Sequence, residues 1–177
     1  MQFFEDLKCY REGLLAQGFW ALQFHRFGAI KCTRKACRVI YVPWAIVHKM
    51  LIKFSEVFFG ISIGSNAVIG RRCVIEHFGG IVIHSNAVLG DDVIVRQGVT
   101  IGNRSLHSPL DAPVIGDRCN VGAGAKILGR VVVGDDVSIG ANAVVITDIP
   151  SGCVAVGVPA KIKANRRQAG TGHSSVY

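Results

Sequence analysis

The most constraining feature of this chain is a spacing: between residues 63 and 145 an aliphatic side chain returns every sixth residue, in three runs. Six residues match neither the 3.6-residue period of an α-helix nor the two-residue alternation of a strand. A period this short and regular is typical of a parallel β-helix, in which three six-residue sides make one triangular coil. The aliphatic positions are Ile63, Ile69, Ile75, Ile83, Leu89, Val95, Ile101, Ile115, Val121, Ile127, Val133, Ile139 and Val145.

Two further residue classes keep the same phase, which disfavours a β-sandwich of alternating strands. Four places after each aliphatic stands a small or branched residue, such as Ala87, which fits where the sides of a narrow prism converge. Residues eighteen apart, such as Ile115 and Val133, should stack in ladders about 4.8 Å apart. Three places after the aliphatic, the chain should turn corners at residues that tolerate left-handed backbone angles. These are Asn66, Asn86, Asp92, Gly98, Gly124, Asp136, Asn142 and Asp148.

The repeat breaks in two places, and breaks in a consistent pattern are where function is expected. After Ile75, two extra residues follow the segment that contains His77 before Ile83 restores the phase. Residues 103–113 supply no inward aliphatic at the expected position and should be extruded as a loop. Allowing for the insertion, Gln97 lies one coil above His77, so we expect the imidazole at a strand edge near the loop.

The pattern predicts three segments. Residues 1–59 read as two or three short helices, with breaks near Gly18, Gly28 and Pro43, that cover the open lower end of the β-helix. Residues 60–162 form the prism, and residues 163–177 form a mobile polar tail.

Charge and cysteine usage bear on compartment. Glu5, Asp6 and Lys8 interrupt any signal-peptide pattern, and the six cysteines are scattered, with Cys73 and Cys119 at inward small positions. We therefore expect a cytoplasmic protein with reduced cysteines. Its formal net charge is +8, but the basic residues of the first 59 are spread among apolar ones, which indicates amphipathic helices rather than a nucleic-acid site.

Residues 39–59 are nearly long enough to cross a bilayer, but charged residues inside that window argue against a span. Two interpretations stay open, and they are compatible. The segment packs on the prism as a helix, or residues 1–59 also contact the inner surface of a membrane.

Five short motifs, in order along the chain, resemble those of bacterial serine O-acetyltransferases. They are HFGGIVI at 77–83, QGVTIG at 97–102, PVIG at 113–116, VGAGAKILG at 121–129 and GVPAKI at 157–162. The resemblance implies a mainly β fold, namely a left-handed parallel β-helix behind a short N-terminal α-helical cap. It also implies a homotrimer that binds acetyl-CoA as co-substrate between neighbouring prisms, without a metal.

The resemblance also implies roles for single residues. His77 matches the general base of the family, and a neutral imidazole can remove the proton of an attacking hydroxyl. Five residues match cofactor-binding positions of the family. They are Gly102 and Asn103 near the thioester, Ala123 and Ala141 along the pantetheine, and Lys161 near the nucleotide end.

Departures from the family bear on the acceptor. Ser62 stands where the family has an aspartate that partners the histidine, so Glu76 is the candidate orienting residue and Asp111 the second. Asp111 and Ala112 replace an arginine and a histidine that hold the amino acid's carboxylate. An aspartate would repel a carboxylate but can accept hydrogen bonds from sugar hydroxyls. We therefore predict O-acetylation of a sugar or polysaccharide precursor, with Asp111, Gln97 and His107 binding the acceptor.

Three alternatives remain. The first is the serine O-acetyltransferase of cysteine biosynthesis. The second is a carbonic anhydrase-like metal hydratase, for which His77, His84 and His107 supply the number of ligands but not the zinc-ligand spacing. The third is a non-catalytic β-helix scaffold.

Overall fold

The computed structural model describes residues 2–29 and 38–164. Its helical part comprises α1 (Gln2–Lys8), a 3-10 turn (Gly13–Leu15), α2 (Gln17–Ala29), α3 (Arg38–Phe54) and a π-helical turn (Ser55–Phe59). Gly60, in the left-handed region at φ 64°, ends this part.

The predicted helix break near Pro43 is wrong, whereas a break does lie near Gly18, because α2 begins at Gln17 after the 3-10 turn. Pro43 lies inside α3, where it removes one backbone hydrogen bond near the helix start and its fixed φ is helical. Gly18 lies in the first turn of α2, and a Cβ there would sit 2.0 Å from the carbonyl oxygen of Ile75. Gly18 therefore also permits close packing of α2 on the prism.

The remaining residues form a parallel β-helix of three sheets, with coils that run from sheet A to sheet B to sheet C. Sheet A contains β1 (Ile61–Ile63), β4 (Ile81–Ile83), β7 (Thr100–Gly102), β10 (Lys126–Leu128) and β13 (Val144–Val145). Sheet B contains β2 (Val68–Ile69), β5 (Val88–Leu89), β8 (Val114–Ile115) and β11 (Val132–Val133). Sheet C contains β3 (Val74–Glu76), β6 (Ile94–Arg96), β9 (Asn120–Val121), β12 (Ser138–Ile139), β14 (Cys153–Val156) and β15 (Lys161–Ala164).

The strand register reproduces the predicted coil lengths. Val82 pairs with Thr100, eighteen residues on, which is the regular coil. Ile61 pairs with Ile81, twenty residues on, because the coil through His77 holds the two-residue insertion. Thr100 pairs with Lys126, twenty-six residues on, because the loop at 103–113 is extruded.

The interior of the prism is the stack of inward side chains. All the predicted aliphatic positions are buried except Ile69, which is partly buried, and Ile115 stacks on Val133 as expected. Each such side chain contributes about 1.5–3 kcal/mol when fully buried.

The corner prediction holds only in part. Asp92, Gly98, Gly124, Asp136 and Asn142 have positive φ, whereas Asn66, Asn86 and Asp148 do not. Arg72 and Arg118 occupy the same repeat position and also have positive φ. Each arginine forms a two-pronged ion pair with the aspartate one coil above, Arg72 with Asp92 and Arg118 with Asp136.

Helix α2 closes the lower end of the prism. Leu22 is fully buried in the same core as the coil side chains. His25 Nε2 lies 3.0 Å from the carbonyl oxygen of Ala67, and Arg26 donates to the carbonyl oxygen of Gly70 at 2.7 Å. Together with Gly18 on Ile75, these contacts span the first coil.

A hairpin closes the upper end, because β15 runs antiparallel to β14. It continues through Ala164, so Lys163 and Ala164 belong to a strand rather than to the predicted tail. The rest of that tail, 165–177, lies outside the described residues.

Candidate active site

The candidate residues fall at two of the three corners of the prism. The corner between sheets C and A, here the His77 corner, comprises residues 77–80, 97–99, 122–125 and 140–143. The corner between sheets A and B, here the loop corner, comprises residues 64–67, 84–87, 103–113 and 129–131.

His77 directly follows β3 and is exposed. Its φ of 64° is uncommon for a residue with a side chain, and Gly79 and Gly80 beside it also have positive φ. This tight reversal accommodates the two extra residues and projects the imidazole from the corner. Within the described residues no hydrogen bond holds the imidazole, so both ring nitrogens are available to a substrate.

Glu76 faces the coil above. Its carboxylate lies 2.9 Å from Arg96 Nε, and Arg96 also donates to Asn120. Within the described part of the chain no hydrogen bond joins Glu76 to His77, and the orienting role of Glu76 stays a prediction. Arg96 was not singled out from the sequence, although the register places it opposite Glu76.

A second paired carboxylate, that of Glu56, comes from the helical part. Ser62 Oγ donates to Glu56 Oε1 at 2.8 Å, and Lys53 Nζ lies 2.5 Å from Glu56 Oε2. The Lys53 and Ser62 hydrogen bonds hold the pKa of Glu56 below its usual range. The sequence analysis missed Glu56, because nothing local shows that the helix end approaches β1.

The His77 corner forms a continuous edge. Gly98 donates to the carbonyl oxygen of Gly79 at 2.9 Å, and Gly124 donates to that of Gln97 at 2.8 Å. Asn142 donates to the carbonyl oxygen of Ala123 at 2.8 Å, which continues the same ladder upward. The predicted residues Gln97, Ala123 and Ala141 therefore line up above His77, with only small side chains at 123 and 141.

His77 also lines a cavity of about 530 Å³ between the prism and the helices. Glu76 and Phe78 face it from the prism, and Tyr10 and Glu12 face it from the helical part. The Tyr10 hydroxyl accepts a hydrogen bond from the backbone N–H of Ile75 at 3.0 Å, and burial raises the pKa of Tyr10. This cavity leaves open space beside the exposed imidazole.

The loop corner holds a second cavity, of about 370 Å³. Its polar lining includes Asp111 together with Arg104 and Arg130. Arg104 and Arg130 therefore bring cationic side chains to the cavity in which an acceptor carboxylate would meet Asp111. Arg130 was missed because it belongs to a regular coil and not to the loop.

The other predicted loop-corner residues differ in position. Gly102 is buried at the end of β7, and Asn103 donates from its side-chain amide to the carbonyl oxygen of Ser105 at 3.0 Å. His107 is exposed and does not line the Asp111 cavity. Lys161 is exposed on β15, at the upper end of the prism.

One chain does not bring all the predicted residues together. His77, Glu76, Gln97, Ala123 and Ala141 belong to one edge of the prism or directly precede it. The loop-corner group lies at another edge, and the histidines considered for a metal site are divided in the same way. The loop-corner group consists of Gly102, Asn103, His107 and Asp111, with His84 nearby.

Comparisons with known families agree with the repeat. Residues 112–147 match the family described as bacterial transferase hexapeptide, six repeats. Residues 60–106 and 130–165 match the hexapeptide repeat of succinyl-transferase.

Curated relatives are serine acetyltransferases. That of Helicobacter pylori strain J99 is 42% identical over 133 residues, which cover 75% of this chain and 78% of the relative. That of Mycobacterium tuberculosis is 44% identical over 117 residues, covering 66% of this chain and 51% of the relative.

Solved structures give the same result. Neisseria gonorrhoeae serine acetyltransferase superposes with a TM-score of 0.77 at 31% identity, over 92% of this chain and 64% of that one. Brucella abortus serine acetyltransferase in complex with coenzyme A gives 0.79 at 27% identity, over 92% and 66%. This chain thus spans about two thirds of those structures. The β-helix and the acyltransferase class are confirmed, and the chain belongs to the serine acetyltransferase family of hexapeptide-repeat acyltransferases.

Proposed function

We propose that the protein transfers the acetyl group of acetyl-CoA to a hydroxyl, with His77 as general base. One observation supports the proposal most directly. The exposed imidazole lies at the lower end of the His77 corner, and Ala123 and Ala141 above it have small side chains. In the proposed reaction His77 takes the hydroxyl proton as the oxygen attacks the thioester carbonyl. The tetrahedral intermediate then expels the CoA thiolate, which receives that proton from the imidazolium, so the protons balance.

The edge above His77 fits the extended arm of the co-substrate. Ala123 and Ala141 leave the edge open, and Gly98 and Gly124 keep the corner narrow. Lys161 on β15 supplies a cation at the upper end, where it can attract phosphates. A coenzyme A complex of the Brucella abortus relative supports this class of co-substrate.

The proposed assembly is a homotrimer built through the prism. Because His77 and the Asp111 cavity lie at different corners, a shared site needs the His77 corner of one chain beside the loop corner of the next. A row of outward valines on sheet B gives an apolar surface for such a contact, since exposed apolar ladders mark association surfaces. The row consists of Val68, Val88, Val114 and Val132, of which Val88 is partly buried and the others are exposed.

Serine is the first candidate acceptor. The relatives named above are serine acetyltransferases. The Asp111 cavity carries both signs of charge, so Arg104 and Arg130 can pair with a carboxylate while Asp111 pairs with an ammonium group. A zwitterionic amino acid matches that arrangement.

A sugar hydroxyl is the second candidate. Asp111 and Ala112 replace the family's carboxylate-holding pair, and Ala112 is buried, so it offers no group to an acceptor. The carboxylate of Asp111 and the hydroxyls of Ser105 and Ser108 can serve as hydrogen-bond partners for sugar hydroxyls.

The deciding experiment supplies acetyl-CoA with L-serine, with free and nucleotide-linked sugars, and with polysaccharide fragments. Thiol release and acetylated product are measured together, the product by mass spectrometry. O-acetylserine without acetylated sugar supports the first candidate, and the reverse supports the second. Failure to bind acetyl-CoA, or thiol release that is equal without any acceptor, contradicts acetyl transfer.

A further inference from the structure

The solvent-facing side of α3 and the π-helical turn is apolar. Met50, Val57 and Phe58 are each more than 65% exposed, where a surface helix normally presents polar residues. Large exposed apolar patches mark contact surfaces. We call this surface the apolar stripe, and it consists of Val42, Ile46, Val47, Met50, Phe54, Val57 and Phe58.

The opposite side of the same helix already packs on the protein. His48 lies against α2, where a Cβ on Gly28 would sit 2.0 Å from its Nε2. Ser55 is buried and donates to the carbonyl oxygen of Ile61 at 3.0 Å. Rotation of α3 to bury the apolar stripe would break these contacts, so the stripe faces outward in the folded protein.

The stripe continues onto α2 through a chain of aromatic rings. Phe58 stacks on Phe54 with ring centroids 4.4 Å apart, and Phe54 meets Phe24 edge to face at 6.4 Å. Phe24 lies 6.0 Å from Trp20, which is 36% exposed. The surface is therefore two helices wide. Aromatic rings of this kind are enriched at the level of lipid headgroups.

Two lysines decide between lipid and protein as the occupant. Lys49 and Lys53 are exposed within the stripe, and the Lys53 side chain is 73% exposed although it pairs with Glu56. A closed contact with a second protein would bury both ammonium groups among apolar side chains at a large desolvation cost. At a bilayer, the apolar stems stay buried while the ammonium groups reach the phosphates.

The length of the segment sets how it can meet a bilayer. The 17 residues of α3 and the 5 of the turn make a rod of about 33 Å if all are helical. Among the described residues, no helix has both the length and the hydropathy needed to cross a membrane. A rod that is apolar along one side and carries lysines suits an orientation parallel to the surface.

We propose that the apolar stripe rests on the surface of an anionic phospholipid bilayer, with Lys49 and Lys53 at the headgroup phosphates. This interaction is separate from acetyl transfer. It would hold the prism beside a membrane through one side of α3 and the π-helical turn.

The test is flotation of the full chain with vesicles of phosphatidylcholine alone and of phosphatidylcholine mixed with phosphatidylglycerol. We expect binding to the mixed vesicles, with a weaker partition into the neutral ones. Met50→Glu with Phe58→Glu should lower the partition coefficient about tenfold or more, because two apolar anchors are replaced by anions. Lys49→Ser with Lys53→Ser should remove most of the preference for the anionic lipid.

Leu106→Glu is the matched control, because Leu106 is 92% exposed but lies in the loop, away from α3. Circular dichroism and thermal melting show whether each variant is folded, and thiol release without vesicles reports acetyl transfer separately. Absence of wild-type flotation with the anionic vesicles would overturn the proposal. So would stripe variants that change the oligomeric mass by light scattering but bind vesicles like the wild type, since a second copy would then be the occupant.

Discussion

At the scale of single residues, His77 differs from Glu76 and Glu56 in what holds the side chain. Glu76 is paired with Arg96 and Glu56 with Ser62 and Lys53, whereas within the described residues no side chain fixes the imidazole. If His77 is the base, as proposed, its imidazole can take its orientation from the bound hydroxyl.

His77→Asn should lower kcat about 10²- to 10⁴-fold in the thiol-release assay. Asparagine is the sharper replacement because it tolerates the left-handed φ of 64° better than alanine does. The melting temperature and the Kd for CoA should therefore stay near wild type. Near-normal turnover in this variant would remove His77 from the mechanism.

Glu76→Gln and Glu56→Gln form a matched pair that tests which carboxylate orients the base. Removing the carboxylate that orients the imidazole should lower kcat and leave the KM for acetyl-CoA near wild type, because the base is then held in the reactive orientation less often. We expect the larger loss of kcat for Glu76→Gln. A loss confined to Glu56→Gln would transfer the role to the helical part, and two unchanged kcat values would exclude both.

Arg104→Ala and Arg130→Ala should each raise the KM for serine about 10-fold or more, because a charge-assisted hydrogen bond contributes about 1.5–3 kcal/mol. The KM for acetyl-CoA should not change. If neither variant changes the KM for serine, while both reduce acetyl transfer to a sugar, the cavity binds the second candidate acceptor instead.

At the scale of elements, the six-residue period governs where strands and core lie. The coil lengths and the extruded loop were predictable, because each inward side chain repeats at a fixed interval and an insertion shifts that interval visibly. Arg72 and Arg118 at corner positions were not predictable, since their ion pairs join residues one coil apart. The same holds for Glu56 and Arg130. Their contacts depend on how the helical part folds back onto β1 and how the loop folds back onto the coil that contains Arg130.

Ile127→Ala should lower the free energy of unfolding by about 2–5 kcal/mol, because it opens a cavity at a fully buried position in β10. Val82→Ala, on the exposed face of β4 and outside the valine row of sheet B, should change it by about 0.5 kcal/mol or less. Urea unfolding followed by circular dichroism gives both values. Equal losses of unfolding free energy would contradict the assignment of Ile127 to the interior of the prism and of the valine to its surface.

At the scale of the whole molecule, the division of polar groups between two corners bears on assembly. A prism has one His77 corner and one loop corner, and in a closed ring of three each His77 corner can meet the loop corner of its neighbour. Sedimentation should then give about three times the chain mass of 19.0 kDa.

Mixed trimers test whether the site is shared. We expect His77→Asn chains, which have a low kcat, and Arg104→Ala/Arg130→Ala chains, which have a high KM for serine, to regain activity at low serine concentration when they are co-expressed and purified through two different tags. A trimer with both kinds of chain has one interface in about three where an intact histidine meets an intact loop. No recovery in the mixed fraction, with trimers present by light scattering, would place the whole site in one chain.

The regular stacking of coils has a further consequence. In sheet C, β15 is the fifth strand above β3, so Lys161 stands about 24 Å above the His77 level at 4.8 Å per strand. Adding or removing one eighteen-residue coil would change that height by one strand spacing and leave every corner intact. The number of coils therefore sets the distance between Lys161 and His77. The length of the molecule that can lie along the edge between them changes only in steps of one coil.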